Sequence, residues 1–357
     1  MTRMLNELLD RARLLVVTGK GGTGKTTVAG ALAMAAARRG RRTLVLEVEG
    51  RQGLAALFGH PSLGYRETMV AEGVMGLAVD PEESLREYLG RYGAAPLARL
   101  LSWARLTRFI TAAAPGLGDI LLVGKVWEAT TRQRQTTRAA PAPGRTGGAL
   151  SAPPVNTPSS YYDLVVLDAP PTGRIVPFLR APETVAELAR VGPIRHQAER
   201  VRELLDDPAL TRMVLVCLPE ELPVTETLES ASLLRAARLP LGPVVANRIS
   251  ADRLGARGGR LAALAREPEP LAEAARQAGA ELDGKALATL IGEARDQRRR
   301  VEAERRLLRE LRAGLPELPV VELPLLLDGV NGAADVATLA ERLTADDPTP
   351  RADRMRA

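Results

Sequence analysis

Apolar residues along this 357-residue chain fall into two rhythms. Short unbroken runs at 14–17, 43–48, 74–79, 161–168, 213–218, 244–248 and 319–323 are bounded by turn-forming or charged residues, which predicts strands buried on both faces. Between them the spacing turns helical. An Ala-rich segment follows a glycine loop, runs to Arg39 and stops at Gly40, with Arg38-Arg39 placed as a helix C-terminus favours. Asp80-Pro81-Glu82-Glu83 supplies a cap, a first-turn proline and acidic residues, opening a helix through Leu85, Tyr88 and Leu89. Helical periodicity resumes from Pro96 through Ile110, pauses at Pro115-Gly116 and continues through Ile120, Val123 and Trp127. Residues 50–58 read as a loop entering a short helix, and longer helices are predicted over 223–238, 261–280 and 286–311.

Strand-helix-strand alternation predicts an α/β fold, with a mostly parallel central sheet, right-handed crossovers and helices on both faces. Residues 1–343 read as a single domain. The helices at about 80–130 form a helical insertion subdomain between strands. From about 131 to 160 the composition turns to Ala, Pro, Gly, Ser, Thr and Arg without periodicity, so a disordered insertion is expected there, and a disordered tail over 344–357.

Composition narrows the chemistry. One cysteine, Cys217, excludes an intrachain disulfide and sits in an apolar run as a buried strand thiol. Two histidines, His60 and His196, with no cysteine near either, leave no basis for a protein-built zinc site, and no zinc is expected. The formal charge of +6 comes from arginines spread through helices with almost no aromatics between them. That pattern reads as a solvated surface and argues against a specific nucleic-acid partner. No apolar stretch approaches the roughly 18 residues of a membrane span, and the N-terminal residues lack a signal-peptide core. Direct membrane insertion is therefore not expected, and the expected location is cytoplasmic.

The candidate site begins where the first strand ends. Gly19 to Thr26 fits G-x-x-x-x-G-K-[ST] between a strand and a helix, the context in which this pattern cradles nucleotide phosphates in a P-loop NTPase. Gly21, Gly22, Thr23, Gly24, Lys25, Thr26 and Thr27 then line the nucleotide, with Lys25 reaching the β- and γ-phosphates and Thr26 ligating Mg²⁺. Lys20 is a second lysine in the same loop. Only four of the 49 basic residues are lysines (20, 25, 125 and 285). Two of the four fall in this loop, where a compact ammonium does what a planar guanidinium cannot. A later apolar run ends in Asp168 and is followed by Ala169-Pro170-Pro171-Thr172-Gly173, suiting a Mg²⁺-holding carboxylate and a nucleotide-sensing switch. Glu49 follows the second strand at its C-terminal end, where ligands bind in open α/β sheets.

Taken together, these motifs resemble the dimeric ATPases with a deviant Walker A loop, which include ArsA, the ATPase of arsenite pumps, the ATPase that targets tail-anchored membrane proteins, MinD and ParA, and the nitrogenase iron protein. Asp168-Ala-Pro-Pro171-Thr172-Gly173 with Phe178-Leu179 is similar to the D-x-x-P-T-G switch of the arsenite-pump and targeting branch. Pro219-Glu220 with Leu222 and Glu226-Thr227 resembles its P-E-x-L-x-x-x-E-T element, Asn247 its strand-end asparagine for adenine, and Pro324-Leu325-Leu326 the following P-L-L. Pro115-Gly116 opens a helix as in these ATPases. The resemblance runs from Leu14 to about Leu343.

What this resemblance implies is an Mg-ATP-binding and hydrolysing dimer, either a homodimer or a heterodimer with a paralogous ATPase subunit. Nucleotide-driven closure would be coupled to a protein client or membrane-protein partner. Lys25 would act in cis and Lys20 across the dimer, Glu49 would orient water, Asp168 and Thr26 would hold Mg²⁺, Gly173 would sense the γ-phosphate, and Asn247 and Pro324 would hold the base. The chain departs from the family in Glu49-Gly50-Arg51-Gln52-Gly53-Leu54, where the branch has D-P-A-H-x-L, so the water-orienting carboxylate is one methylene longer and slow hydrolysis is expected. Such an E-G-R-Q-G-L switch resembles a bacterial subgroup. The arsenite-binding cysteines and the interface C-x-x-C are absent. Two alternatives stay open: an ATP-binding regulatory subunit with weak hydrolysis beside an active paralogue, and a ParA-like partition ATPase on nonspecific DNA, whose D-x-P-P switch Asp168-x-Pro170-Pro171 also fits.

Overall fold

The computed structural model describes residues 2–48, 50, 52–91, 116–133, 161–188, 193–253 and 268–345. Glu49, the larger part of the helical insertion, the 131–160 segment beyond residue 133 and the tail beyond residue 345 lie outside the described residues.

Eight strands form one sheet among the described residues, in the order β3-β4-β2-β5-β1-β6-β7-β8. In chain order they are β1 (Leu14–Gly19), β2 (Thr43–Glu47), β3 (Thr68–Ala71), β4 (Val74–Ala78), β5 (Leu164–Asp168), β6 (Thr211–Cys217), β7 (Leu241–Ile249) and β8 (Val320–Pro324). Every pairing is parallel except β3 with β4, so the sheet is mostly parallel as the alternation predicts. β1 lies between β5 and β6, which brings three strand ends to the loop that follows it.

Strand residues alternate between two cores. Leu14 and Val16 of β1 pack on one face, Leu15 and Val17 on the other, all fully buried, which is why these strands read as unbroken apolar runs. The second face carries α1 (Thr2–Arg11), α2 (Lys25–Arg38), α3 (Gly53–Leu57) and α11 (Ala333–Thr344). Small residues let α2 lie close: a Cβ added at Gly30 would stand 2.8 Å from Leu57 of α3. The first face carries α5 (Leu117–Thr131), α6 (Thr172–Leu188), α7 (Pro193–Asp206), α8 (Glu221–Ala236) and α10 (Gly284–Gly314). Leu122, Val123 and Val126 of α5 belong to this core, so the described end of the helical insertion lies against the sheet. α4 (Pro81–Arg91) packs on α5, and α9 (Pro268–Gln277) on α10. Asp80 caps α4 through the N–H groups of Glu82 and Glu83, as its sequence predicts. No helix among the described residues is long and apolar enough to cross a membrane.

Three elements have no counterpart in the sequence reading. α1 buries Leu5 and Leu9, four residues apart among charged neighbours, and α11 buries Val336, Leu339, Ala340 and Leu343. β3 is a four-residue edge strand with one buried residue, too short for alternation to register.

Two groups tie the sheet's ends. At the N-terminal ends of β1, β2 and β5, Arg41 donates to the carbonyls of Leu9 (2.5 Å), Ala12 (2.7 Å) and Asp163, Arg13 donates to Thr130 O (2.8 Å), and Arg42 pairs with the Asp163 carboxylate at 3.1 Å. Nearby, the Tyr161 N–H donates to Arg132 O at 2.8 Å, the Arg132 guanidinium stacks 4.0 Å from the Tyr161 ring, and Glu67 accepts from both Arg132 (2.7 Å) and the Tyr162 hydroxyl (2.6 Å). The chain therefore leaves and re-enters the body at adjacent points on either side of the 134–160 segment.

Candidate nucleotide site

β1 delivers the chain into the loop and α2 takes it up at Lys25. Gly22 (φ 85°) and Gly24 (φ 91°) hold left-handed conformations that only glycine adopts without strain, and Gly24 is the N-cap of α2. The loop is wedged between neighbouring backbones. A Cβ at Gly19 would stand 2.3 Å from Val216 O of β6, and one at Gly24 would stand 2.4 Å from Asn247 Nδ2. The loop's own contacts converge on Lys20 O, which accepts from Thr23 Oγ1 at 2.9 Å and from Lys25 Nζ at 3.3 Å. Lys25 is buried with 8% exposure, whereas Gly21 and Gly22 are exposed.

The last residues of the strands beside β1 meet this loop. Thr26 Oγ1 donates to Asp168 Oδ2 at 2.6 Å, and Asp168 is buried at the end of β5. These two hard oxygen donors fit Mg²⁺, which takes one or two protein oxygens and completes its shell with water and phosphate. No group of three or more His, Cys, Asp or Glu side chains placed to hold a metal is present among the described residues, and a site of this kind does not need one. Thr18 Oγ1 donates to Pro170 O at 2.7 Å, fastening the segment after Asp168 to the end of β1. Gly173 is exposed in the first turn of α6, with open space where a Cβ would sit.

Asn247, 5% exposed at the end of β7, donates from Nδ2 to Thr23 O at 2.9 Å and so touches the loop directly. Pro324 ends β8 opposite Ile249, two residues beyond Asn247, and no contact between it and the loop is seen among the described residues. Thr27 follows Thr26 in the first turn of α2, half-buried. Cys217 is fully buried, and burial, partly offset by a hydrogen bond with Thr227, pushes its thiol up to about 11, which keeps it protonated and chemically quiet.

Three residues beside the site have no role assigned from the sequence, although Gln52 and Glu226 fall within its motifs. Glu47, 3% exposed, accepts from the N–H groups of Gly53 (3.1 Å) and Leu54 (2.9 Å), capping α3. Its signal was a charge in the last position of a fully buried strand. Gln52, left-handed at φ 57°, exchanges two hydrogen bonds with the backbone of Leu63 (3.1 and 2.8 Å). A Cβ at the adjoining Gly53 would stand 3.2 Å from Thr26, so α3 starts against that threonine. The third is Glu226, whose Oε1 lies 2.5 Å from Lys20 Nζ while Oε2 is buried without a hydrogen-bond partner among the described residues. Lys20 is thus turned away from its own loop toward α8, 39% exposed.

The family model for anion-transporting ATPases matches residues 12–197. ATPase BagA of Mycobacterium tuberculosis is 38% identical over 342 residues, covering 90% of each chain. An uncharacterized protein of Streptomyces coelicolor, SCO2128, is 33% identical over 244 residues, 68% of this chain and 52% of its own. ATPase GET3 of Kluyveromyces lactis is 23% identical over 283 residues, 69% of this chain and 75% of its own.

Proposed function

Because the chain belongs to the anion-transporting ATPase family, we propose that it binds and hydrolyses ATP as a dimer and couples nucleotide-driven closure to a partner. The observation that carries this reading is the Thr26–Asp168 contact of 2.6 Å directly beneath a glycine loop holding Lys25. Thr26 and Asp168 would hold Mg²⁺ there, and the ion would supply positive charge to offset that of the phosphates. Lys25 binds the phosphates from within its own loop, and the α2 N-terminus adds backbone N–H donors. The fastening of Thr18 to Pro170 carries any shift of the β1 end to the segment that leads to Gly173, whose exposed position suits contact with the γ-phosphate. By the resemblance, Glu49 orients the attacking water. Glu47 supports that role by capping α3 just beyond it.

The dimer is supported by Lys20, which points out of its own loop, and by exposed Leu222 and Leu327 at the same end of the sheet. An exposed lysine acting on a partner's nucleotide does the work of an arginine finger, an effect of roughly 10³ to 10⁵ in rate. The test is hydrolysis by the purified full chain with and without Mg²⁺, with Lys20→Ala and Lys25→Ala variants and their mixture. Both variants should be nearly inactive, and mixing them should restore activity at a mixed interface. Equal background rates in wild type and both variants would leave an ATP-binding subunit without hydrolysis and defeat the proposal.

A further inference from the structure

Beyond the end of β7, three consecutive residues are gripped by three side chains of α10. Glu304, 8% exposed, accepts from the Ser250 N–H at 2.9 Å and from its hydroxyl at 2.7 Å. Gln297 Nε2 donates to Ala251 O at 2.9 Å, and Arg305 pairs with Asp252 at 2.7 Å. The strand ladder leaves this stretch irregular. Pairing of β7 with β8 shifts between Ala246 and Ile249, and the residues inside that shift are Asn247 and Arg248. Arg248 is left-handed at φ 59°, a conformation that is strained for a residue with a Cβ and persists only where surrounding contacts hold it.

A bulge of this kind re-aims a side chain, and here the side chain is Asn247. Its amide lies 2.9 Å from Thr23 O. A carbonyl can only accept, so the amide nitrogen must face Thr23, and Asn247 Oδ1 is left as an acceptor for a ligand. A fixed acceptor suits the exocyclic amino group of adenine and opposes the carbonyl that guanine carries at the same position. The aim of one amide therefore decides between two bases.

We propose that Glu304 is a positioning residue for base selection: by holding Ser250 it fixes the bulge that aims Asn247, so that α10 sets the preference for adenine over guanine nucleotides. This rests on Asn247 reading the base of a nucleotide held by the Gly19–Thr26 loop. The test measures binding of ATP, GTP and inorganic tripolyphosphate to the full-length chain by titration calorimetry. Asn247→Ala and Glu304→Ala should each lower the ATP-over-GTP preference about tenfold, the usual weight of a lost base contact. Tripolyphosphate affinity should stay at the wild-type value in Glu304→Ala, and the double variant should lose no more preference than either single one. Ser250→Ala, which deletes only the hydroxyl bond, should lose about threefold.

A retained preference in Glu304→Ala beside a lost one in Asn247→Ala overturns the proposal alone. Should Glu304→Ala not fold, a wild-type preference in Ser250→Ala overturns it instead. Equal ATP and GTP affinities in the wild type, or no change in Asn247→Ala, overturn the base reading and the proposal with it.

Discussion

At the C-terminal end of β1 the cations are lysines and the turns are glycines, with Lys25 donating to Lys20 O and Lys20 pairing with Glu226. At the N-terminal ends of β1, β2 and β5 the cations are arginines, each spread over several acceptors: Arg41 alone reaches three carbonyls from α1 and β5's approach. One end uses a point charge, which can follow a ligand that comes and goes. The other uses a fork, which binds fixed carbonyls and holds them. Burial at the arginine end lowers the pKa of Arg13 and Arg41, with the nearby Asp163 opposing that shift. The same formal charge thus ties fixed carbonyls at one end and, in the proposed function, meets a ligand at the other.

Exchanging the two chemistries should break each end in its own way. The largest effect is expected from Lys25→Arg: hydrolysis should fall by about a thousandfold, since the fork does not fit the buried cradle, while the melting temperature stays within a few degrees of wild type. Next, Arg41→Lys should lower stability by about 2–3 kcal/mol, because a point donor cannot satisfy three carbonyls, with the specific activity of folded protein unchanged; urea unfolding beside an ATPase assay reads both. Gly24→Ala forces a Cβ into a left-handed position 2.4 Å from Asn247 Nδ2. It should cost roughly 1–2 kcal/mol in stability and weaken ATP binding as well, the one change here that moves both measurements.

The smallest effect concerns acid. Burial raises the Asp163 carboxyl, but the Arg42 hydrogen bonds and the charges of Arg42 and Arg41 outweigh it and hold the pKa below the usual 3.8. A depressed folded value means that this contribution is complete above the unfolded pKa and is lost as pH falls through the folded one, so the window lies below about pH 4. Asp163→Asn should flatten the stability profile in that range, lowering stability at pH 7 by less than about 1 kcal/mol for a group this exposed and converging on wild type at the acid end. An identical acid limb in the variant would assign acid lability elsewhere.

The phosphate loop was legible because chemistry dictates its letters: glycines where φ is positive, a lysine, a hydroxyl, and a strand that ends in aspartate. The alternating strands and the mostly parallel sheet followed from runs that must be buried on both faces. Pairings between distant residues were not legible. Lys20 meets Glu226 across 206 positions and Asn247 meets Thr23 across 224, and nothing in either neighbourhood names the other. Glu47 was hidden for a different reason: its neighbour Glu49 carries the familiar position, and only burial shows that Glu47 caps a helix. α1 escaped because charged residues interrupt its apolar pair, and β3 because four residues hold too few alternations.

The closing of Tyr161 onto Arg132 makes this protein a natural host for foreign sequence. Chain ends pinned 2.8 Å apart make the body indifferent to how far the polypeptide travels between them. Each doubling of such an excursion costs only about 0.6 kcal/mol. A fluorescent reporter with neighbouring termini could therefore be spliced in at that port without sharing the folding of the body.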